Sequence, residues 1–293
     1  MVFMDIVVLG SSGFIGKKLV KRLREQYTVY GLSRSPSEFT DFQVDASSED
    51  TITLLRRLNP DIIINSIKLP QSIDYYETHE AEAEIAEIES MTNTSEWAEE
   101  NKKKIIMIST DYVYDGITGD YNEESETNPL NLYGKLKLKA EGIAKNVENH
   151  AILRTTGVFD YIPNDKNFLM QIIDAKEERK IPYDQISNPT SINVLGYYIE
   201  KVIKEDMRGL YIAAGSYPID RFSLALTIAG VFDLNVNLFK RVKTSELGQI
   251  AKRPLNNSLD NSKITNLLHY NCPTVLESLR LIKRRMHEEP RRY

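Results

Sequence analysis

Two short patterns in this sequence carry chemistry that plain packing residues do not need. Tyr133-Gly134-Lys135-Leu136-Lys137 sets a phenol and an ammonium four residues apart, on one face of a helix. A phenol, with an ordinary pKa of about 10, is a poor acid–base group near neutrality. An ammonium beside it favours the phenolate and lowers that pKa, which turns the pair into a proton-transfer device. The same spacing also occurs on amphipathic surface helices, so its surroundings decide its meaning. Here the apolar run Ile105–Ser109 comes first and leads into Thr110-Asp111, which adds a hydroxyl before the Tyr-Lys helix.

The second pattern is Gly10-Ser11-Ser12-Gly13-Phe14-Ile15-Gly16, directly after the β-branched run Asp5–Leu9. In a strand–turn–helix setting such glycines have separate tasks. Gly10 permits a tight turn, Gly13 lets the backbone approach a pyrophosphate, and Gly16 lets the helix pack closely on the strand. The helix start then offers N–H groups and a positive dipole end to an anion. Ser12, Phe14 and Ile15 lie in the same turn and belong to the candidate cofactor contacts. A glycine-rich turn without a ligand is the plainer alternative; the strand–helix context favours the nucleotide. About 20 residues on, an NAD site usually places an acid for the ribose. This chain has Ser33-Arg34 instead, a hydroxyl and a guanidinium suited to a 2′-phosphate. NADP is therefore favoured, with NAD left open and a solvent-facing Arg34 as the alternative.

These groups need a scaffold, and the first half of the chain supplies strand-like and helix-like segments in alternation. Helical spacing covers Phe14–Gln26, Ser48 to Asn59, Ala81–Asn101 and Leu132–Val147. Strand-like runs fall at Asp5–Leu9, Thr28–Leu32, Asp61–Asn65, Ile105–Ser109 and Ala151–Arg154. The pattern predicts an α/β chain: a Rossmann-type, doubly wound parallel sheet with a smaller C-terminal lobe, which the resemblance to a known family makes substrate-binding. The expected division is residues 1–157 for the NADP-binding domain. Residues 158–293 then form mainly the substrate lobe, with some segments returning to the sheet. Further helices are expected at Asn167–Glu178, Val194–Lys204, Phe222–Phe232 and Thr274–Met286, with a strand at Leu210–Ala213. In the acidic stretch Glu77–Glu89, Ile85, Ile88 and Met91 are expected to form a buried stripe behind a solvated face.

Composition narrows the field. In 293 residues, 41% are hydrophobic and 27% charged, ordinary for a globular chain. Lys plus Arg is 37 and Asp plus Glu 42, so the formal charge is −5. That balance argues against nucleic acid or an anionic membrane as a main partner. The basic end, with Lys283, Arg285, Arg291 and Arg292, reads as solvated helix end and tail. The run Met1–Leu9 is too short for a signal peptide or a membrane span and is interrupted by Asp5. The lone Cys272 reads as a small buried residue, and its being single favours a cytoplasmic setting. Four scattered histidines offer no metal-ligand spacing, so no metal is expected.

With these motifs together, the chain resembles the extended short-chain dehydrogenase/reductases. More closely, it resembles the dTDP-4-dehydrorhamnose reductase family, which includes the regulatory β subunit of methionine adenosyltransferase. The resemblance runs through Gly10–Gly16, Ser109–Gly116, Pro129–Lys137 with Glu141, Leu153–Phe159, Asp184–Thr190, Gly209–Gly215 and Arg253–Asn256 followed by Leu259-Asp260. It implies an oxidoreductase that uses NADPH to reduce a nucleotide-linked 4-keto-6-deoxy sugar in dTDP-rhamnose biosynthesis. Tyr133 would protonate the forming alkoxide, and Thr110 would hydrogen-bond the carbonyl oxygen. Lys137 would hold the nicotinamide ribose and lower the Tyr133 pKa. Asp45 and Ala46 match positions bordering adenine; Asn65, Ser66 and Ile67 match positions along the pyrophosphate and ribose. Arg253 matches a candidate contact to the substrate diphosphate, with an interlobe salt bridge as the alternative. A homodimer is an assembly left open.

Three departures bear on the substrate. Ser66-Ile67-Lys68 replaces the family's run of alanines, Ser90 stands where an asparagine is usual, and Gly157 stands where a tryptophan packs on the sugar. Two other functions compete. One is a non-catalytic, NADP-binding regulatory subunit like the methionine adenosyltransferase β subunit. The other is a nucleotide-sugar epimerase or dehydratase, against which the segments around Asp184 and Arg253 argue.

Overall fold

The computed structural model describes residues 4–163 and 165–288, apart from the side chain of His287; Arg291 and Arg292 lie outside the described residues. The elements run β1 (Asp5–Leu9), α1 (Phe14–Leu23), β2 (Thr28–Ser33), β3 (Phe42–Gln43), α2 (Glu49–Leu58) and β4 (Ile62–Asn65). Next come α3 (Ile73–Thr78), α4 (Glu80–Glu84), a π-helical turn (Ile85–Glu89) and α5 (Ser90–Glu100). They continue through β5 (Lys104–Thr110), a 3₁₀ turn (Asp111–Val113), α6 (Leu132–Ala144) and β6 (His150–Thr155). Then follow α7 (Phe168–Ile173), β7 (Arg179–Pro182), β8 (Ile186–Ser187), α8 (Ile192–Lys204) and β9 (Gly209–Ile212). The chain closes with β10 (Ile219–Asp220), α9 (Arg221–Phe232), β11 (Phe239–Val242), α10 (Ser262–Leu267) and α11 (Val275–Glu288).

Seven strands form one sheet in the order β3-β2-β1-β4-β5-β6-β9. The β1–β2, β1–β4, β2–β3 and β4–β5 pairings are parallel. This is the Rossmann-type doubly wound sheet expected from the alternating pattern. Alternate strand residues explain its near-continuous apolar runs. Val7, Leu9, Ile63, Ile105 and Met107 share one core with residues of α2, α3, α5 and α6. Ile6, Val8, Ile64 and Ile106 point the other way and are equally buried. The chain reverses its winding between β1 and β4, the switch point where such sheets hold ligands at their carboxyl ends.

The chain divides into two compact units. One runs to Val113 and adds Asn128–Arg154 and Gly196–Tyr211; the other holds Tyr114–Thr127, Thr155–Leu195 and the residues from Ile212 on. The second unit has its own apolar core, with Phe159, Leu169, Ile172, Leu224, Ile228 and Leu279. There β7 pairs in parallel with β11, and β8 antiparallel with β10.

Some elements differ from expectation. α7 stops at Ile173 rather than Glu178, because Arg179–Pro182 is drawn into the β7–β11 ladder. The helix expected at Ala81–Asn101 is interrupted by the π turn at Ile85–Glu89. Ile85 faces outward at 41% exposed, across the helix from buried Ala83 and Glu87, whereas Ile88 and Met91 are buried as expected. Cys272 is only half-buried, with weak contacts to the Ala214 and Pro273 carbonyls. Among the described residues no helix is long and apolar enough to cross a membrane.

Candidate active site

The glycine turn forms at the carboxyl end of β1. Gly10 adopts φ +78°, a conformation that glycine takes without the Cβ penalty. Its N–H and that of Ser11 both donate to the Leu32 carbonyl, which ties the turn to β2. A Cβ on Gly16 would lie 2.1 Å from the Gly10 carbonyl oxygen, so only glycine lets α1 start this close to β1. Gly13 is the N-cap of α1, and no side chain caps it. Phe14 and Ile15 form the first turn of α1, half-buried. The helix start thus keeps an exposed, side-chain-free cradle of the kind that accepts a phosphate. Ser12 and Ser33 are hydrogen-bonded through their hydroxyls across the ends of the turn and β2.

Arg34 is exposed, and its guanidinium stands 4.0 Å from the Asp45 carboxylate. Asp45 also accepts from the Ser47 N–H and hydroxyl, at 3.0 and 2.7 Å, which closes the loop leading past Ala46 into α2. After β4, the Ser66 hydroxyl donates to the Leu9 carbonyl at 2.7 Å, and the Asn65 side chain accepts from the Ile67 N–H at 3.0 Å. The expected cofactor residues are thus brought together along the carboxyl ends of β1, β2 and β4. Their geometry fits a dinucleotide: an uncapped helix start, a glycine cradle that a Cβ would fill, and a guanidinium beyond β2.

The expected acid–base residues lie at the carboxyl end of β5. α6 begins at Leu132, where the Asn131 side chain accepts the Gly134 N–H at 2.9 Å as an N-cap. Gly134 has a second duty. A Cβ there would meet the Tyr112 carbonyl oxygen at 2.1 Å, so glycine lets α6 approach the 3₁₀ turn after Thr110. That approach brings the Tyr133 phenol under the influence of the Thr110 hydroxyl. Thr110 also donates to Asp111 at 3.2 Å and accepts from the Tyr112 N–H at 3.2 Å. One turn further along α6, the Lys137 ammonium donates to the Ile67 carbonyl at 2.9 Å. Glu141, another turn on, is fully buried and held bidentately by Arg154 of β6, at 2.9 and 2.6 Å. It also accepts the Ser109 hydroxyl at 2.5 Å, so one carboxylate binds α6 to β5 and β6.

Two residues that sequence reasoning passed over complete the surroundings. Glu87 is buried, and its carboxylate lies 2.8 Å from the Lys137 ammonium. Its other oxygen accepts the Tyr76 hydroxyl at 2.7 Å. Tyr76 in turn sets its ring edge-on to Tyr133, with centroids 5.1 Å apart. The expectation that Lys137 draws the Tyr133 pKa down is not what this arrangement gives. Burial, then the Glu87 charge, push the phenol well above its ordinary range; the Thr110 hydroxyl opposes them. Glu87 did leave a trace in the sequence. It falls four residues from both Ala83 and Met91, so an acid sits in line with buried positions.

Arg253 belongs to the second unit and is half-buried. In that unit Gly157 has φ +49°, and a Cβ there would make ordinary contacts with Pro189 and the Ser187 hydroxyl. Ser90 is buried and donates to the Ala86 carbonyl within its own helix. Among the described residues no cluster of three or more His, Cys, Asp and Glu could hold a metal ion.

Comparison with known proteins agrees with this architecture. The model of the family described as RmlD substrate binding domain matches residues 4–287. The chain belongs to that family. It is 30% identical to dTDP-4-dehydrorhamnose reductase from Salmonella typhimurium over 278 residues, covering 89% of this chain and 90% of the relative. It is 24% identical to methionine adenosyltransferase 2 subunit beta from Xenopus laevis, covering 89% and 81%. Among solved structures, dTDP-4-dehydrorhamnose reductase from Bacillus anthracis in complex with NADP superimposes with a TM-score of 0.88. That pair is 25% identical and covers 97% of this chain and 100% of the other.

Proposed function

We propose that this protein is an NADPH-dependent reductase of a nucleotide-linked 4-keto-6-deoxy sugar, with dTDP-4-dehydrorhamnose as the favoured substrate. The observation that carries the reading is the buried pair Tyr133 and Thr110, whose hydroxyl acts on the Tyr133 phenol, with Lys137 one turn along the same helix, at the carboxyl end of a Rossmann-type sheet. Family membership and the likeness to a reductase solved with NADP support the same reading.

Gly10, Ser12, Gly13, Phe14, Ile15 and Gly16 hold the pyrophosphate at the start of α1. Ser33 and Arg34 meet the 2′-phosphate, while Asp45 and Ala46 border the adenine. Asn65, Ser66 and Ile67 line the path to the ribose, where Lys137 is held by the Ile67 carbonyl. When bound, NADPH supplies the hydride. Thr110 hydrogen-bonds the substrate carbonyl oxygen, and Tyr133 donates the proton that this oxygen needs as hydride arrives at carbon. A protonated phenol is the form this direction requires, and burial keeps Tyr133 in it. Arg253 is a candidate contact to the sugar diphosphate. The reading places the protein in the cytoplasm, as an enzyme of dTDP-rhamnose biosynthesis, with a homodimer to be tested by light scattering.

The deciding experiment follows NADPH oxidation with dTDP-4-dehydro-L-rhamnose. Wild type is expected to turn over, and Tyr133→Phe to lose about 100-fold or more of kcat. Equal inertness of both proteins, with co-purification of a methionine adenosyltransferase, would favour the regulatory reading that the 24% relative raises.

A further inference from the structure

Carbonyl reduction as proposed uses Thr110, Tyr133 and Lys137 but leaves a buried acid unexplained. Glu87 is 3% exposed and lies in the π turn. Both of its oxygens are engaged, one at 2.8 Å from the Lys137 ammonium and one accepting the Tyr76 hydroxyl at 2.7 Å. The Tyr76 oxygen accepts the Leu69 N–H at 3.0 Å, so the cluster is anchored to the loop after β4. Lys137 is equally buried and donates also to Ile67. A buried ion pair is a weak source of stability compared with apolar packing of the same volume. Its placement on the acid–base helix therefore points to a task in the chemistry. π turns are also over-represented at functional sites, and Glu87 lies in one.

The charges around the Tyr133 phenol come from every element packed on it. Lys68, from the loop after β4, has its ammonium 5.9 Å from the ring centroid. Tyr76 of α3 and Tyr112 of the 3₁₀ turn are edge-on at 5.1 and 5.9 Å. Asp111 and Glu87 supply negative charge, Thr110 a hydroxyl, and Lys137 lies on α6 itself.

We propose that Glu87 is a positioning residue for the acid–base pair: its carboxylate fixes Lys137 and cancels its charge, so that Tyr133 stays the protonated donor. No atom moves to or from Glu87 during turnover. The proposal rests on the reductase reading for its use, but its charge effect is testable without substrate or cofactor.

The test is a tyrosinate absorbance titration of cofactor-free protein. Wild type and Glu87→Gln are each compared with their Tyr133→Phe derivative, which isolates one phenol among 16 tyrosines. Tyr133 is expected to ionise at least about one pH unit lower in Glu87→Gln than in wild type. The alkaline limb of NADPH oxidation should move down with it. Glu87→Met, of similar volume, should shift the phenol the same way if the amide folds poorly. Tyr76→Phe keeps the ion pair and should leave Tyr133 where it is in wild type. No downward shift in either Glu87 variant overturns the proposal, as does an equal shift in Tyr76→Phe, which would assign the effect to packing. A shifted phenol in a protein inert towards the sugar would keep Glu87's role and sink the reductase reading. An active wild type with an unshifted phenol would do the reverse.

Discussion

The glycine-turn end and the acid–base end of the same sheet are built in opposite ways. At the first, backbone does the work: Gly10 and Gly16 set the turn, no side chain caps α1, and Arg34 stands in solvent at 48% exposed. At the second, side chains do the work in a dry setting. Two buried ion pairs, Glu87–Lys137 and Glu141–Arg154, each place one partner on α6, the helix that carries Tyr133 beside Tyr76. The difference suits the two tasks proposed for these ends. A mobile, charged dinucleotide must enter and leave, so its contacts are open and local. Proton transfer needs a fixed distance and a controlled charge, which burial supplies at the cost of desolvating ions.

Breaking a buried pair should then hurt folding, whereas cutting an exposed cation should hurt binding alone. Arg154→Ala strips the two guanidinium hydrogen bonds from the fully buried Glu141, sparing only that from Ser109, and leaves its charge uncompensated. A loss of about 3–5 kcal/mol in urea-unfolding stability is expected. A change below about 1 kcal/mol would mean that Glu141 is not held as a carboxylate, and the contrast would fail.

Arg34→Ala is the matching cut at the open end. Its partner Asp45 is 4.0 Å away and both side chains are well exposed, so stability should hold. NADPH affinity is expected to fall about 10- to 100-fold, as for a charged hydrogen bond to phosphate. NADH affinity should barely change. Equal losses for both cofactors in titration calorimetry would remove Arg34 from the 2′-phosphate.

The same contrast explains what could be read from the chain. Gly10, Gly13 and Gly16 answer constraints met within a few residues, so spacing alone exposed them. Thr110, Tyr133 and Lys137 were legible because a helix fixes i and i+4 and a strand end precedes it. Glu87 was hidden by its chemistry: its spacing from Ala83 and Met91 puts it on the buried face, but an acid in an acid-rich stretch reads as solvated until Lys137 of α6 is brought to it. Gly134 was hidden because the need for it comes from the Tyr112 carbonyl, on another element. The shortened α7 has the same origin: β7 exists only through its pairing with β11, distant in sequence. Local periodicity reports local constraints, and the dry end of this sheet is made of non-local ones.

The smallest expected effect probes how dry that end is. Burial, then the Glu87 charge, raise the pKa of both Tyr76 and Tyr133 above the ordinary phenol value of 10.0. In the unfolded chain these phenols ionise near about pH 10. The folded state therefore keeps two protons that the unfolded state releases. Stability from these groups is full below about pH 10 and falls as pH rises beyond it, by about 1.4 kcal/mol per pH unit for each phenol. Tyr76→Phe and Tyr133→Phe should each remove one such contribution. Urea unfolding of wild type and both variants between about pH 9 and pH 11 gives the slopes. Each variant's curve should be shallower than wild type by one proton's worth at the alkaline end. Parallel curves would mean that solvent reaches the phenols in the folded state, and the acid–base end would be as open as the glycine turn.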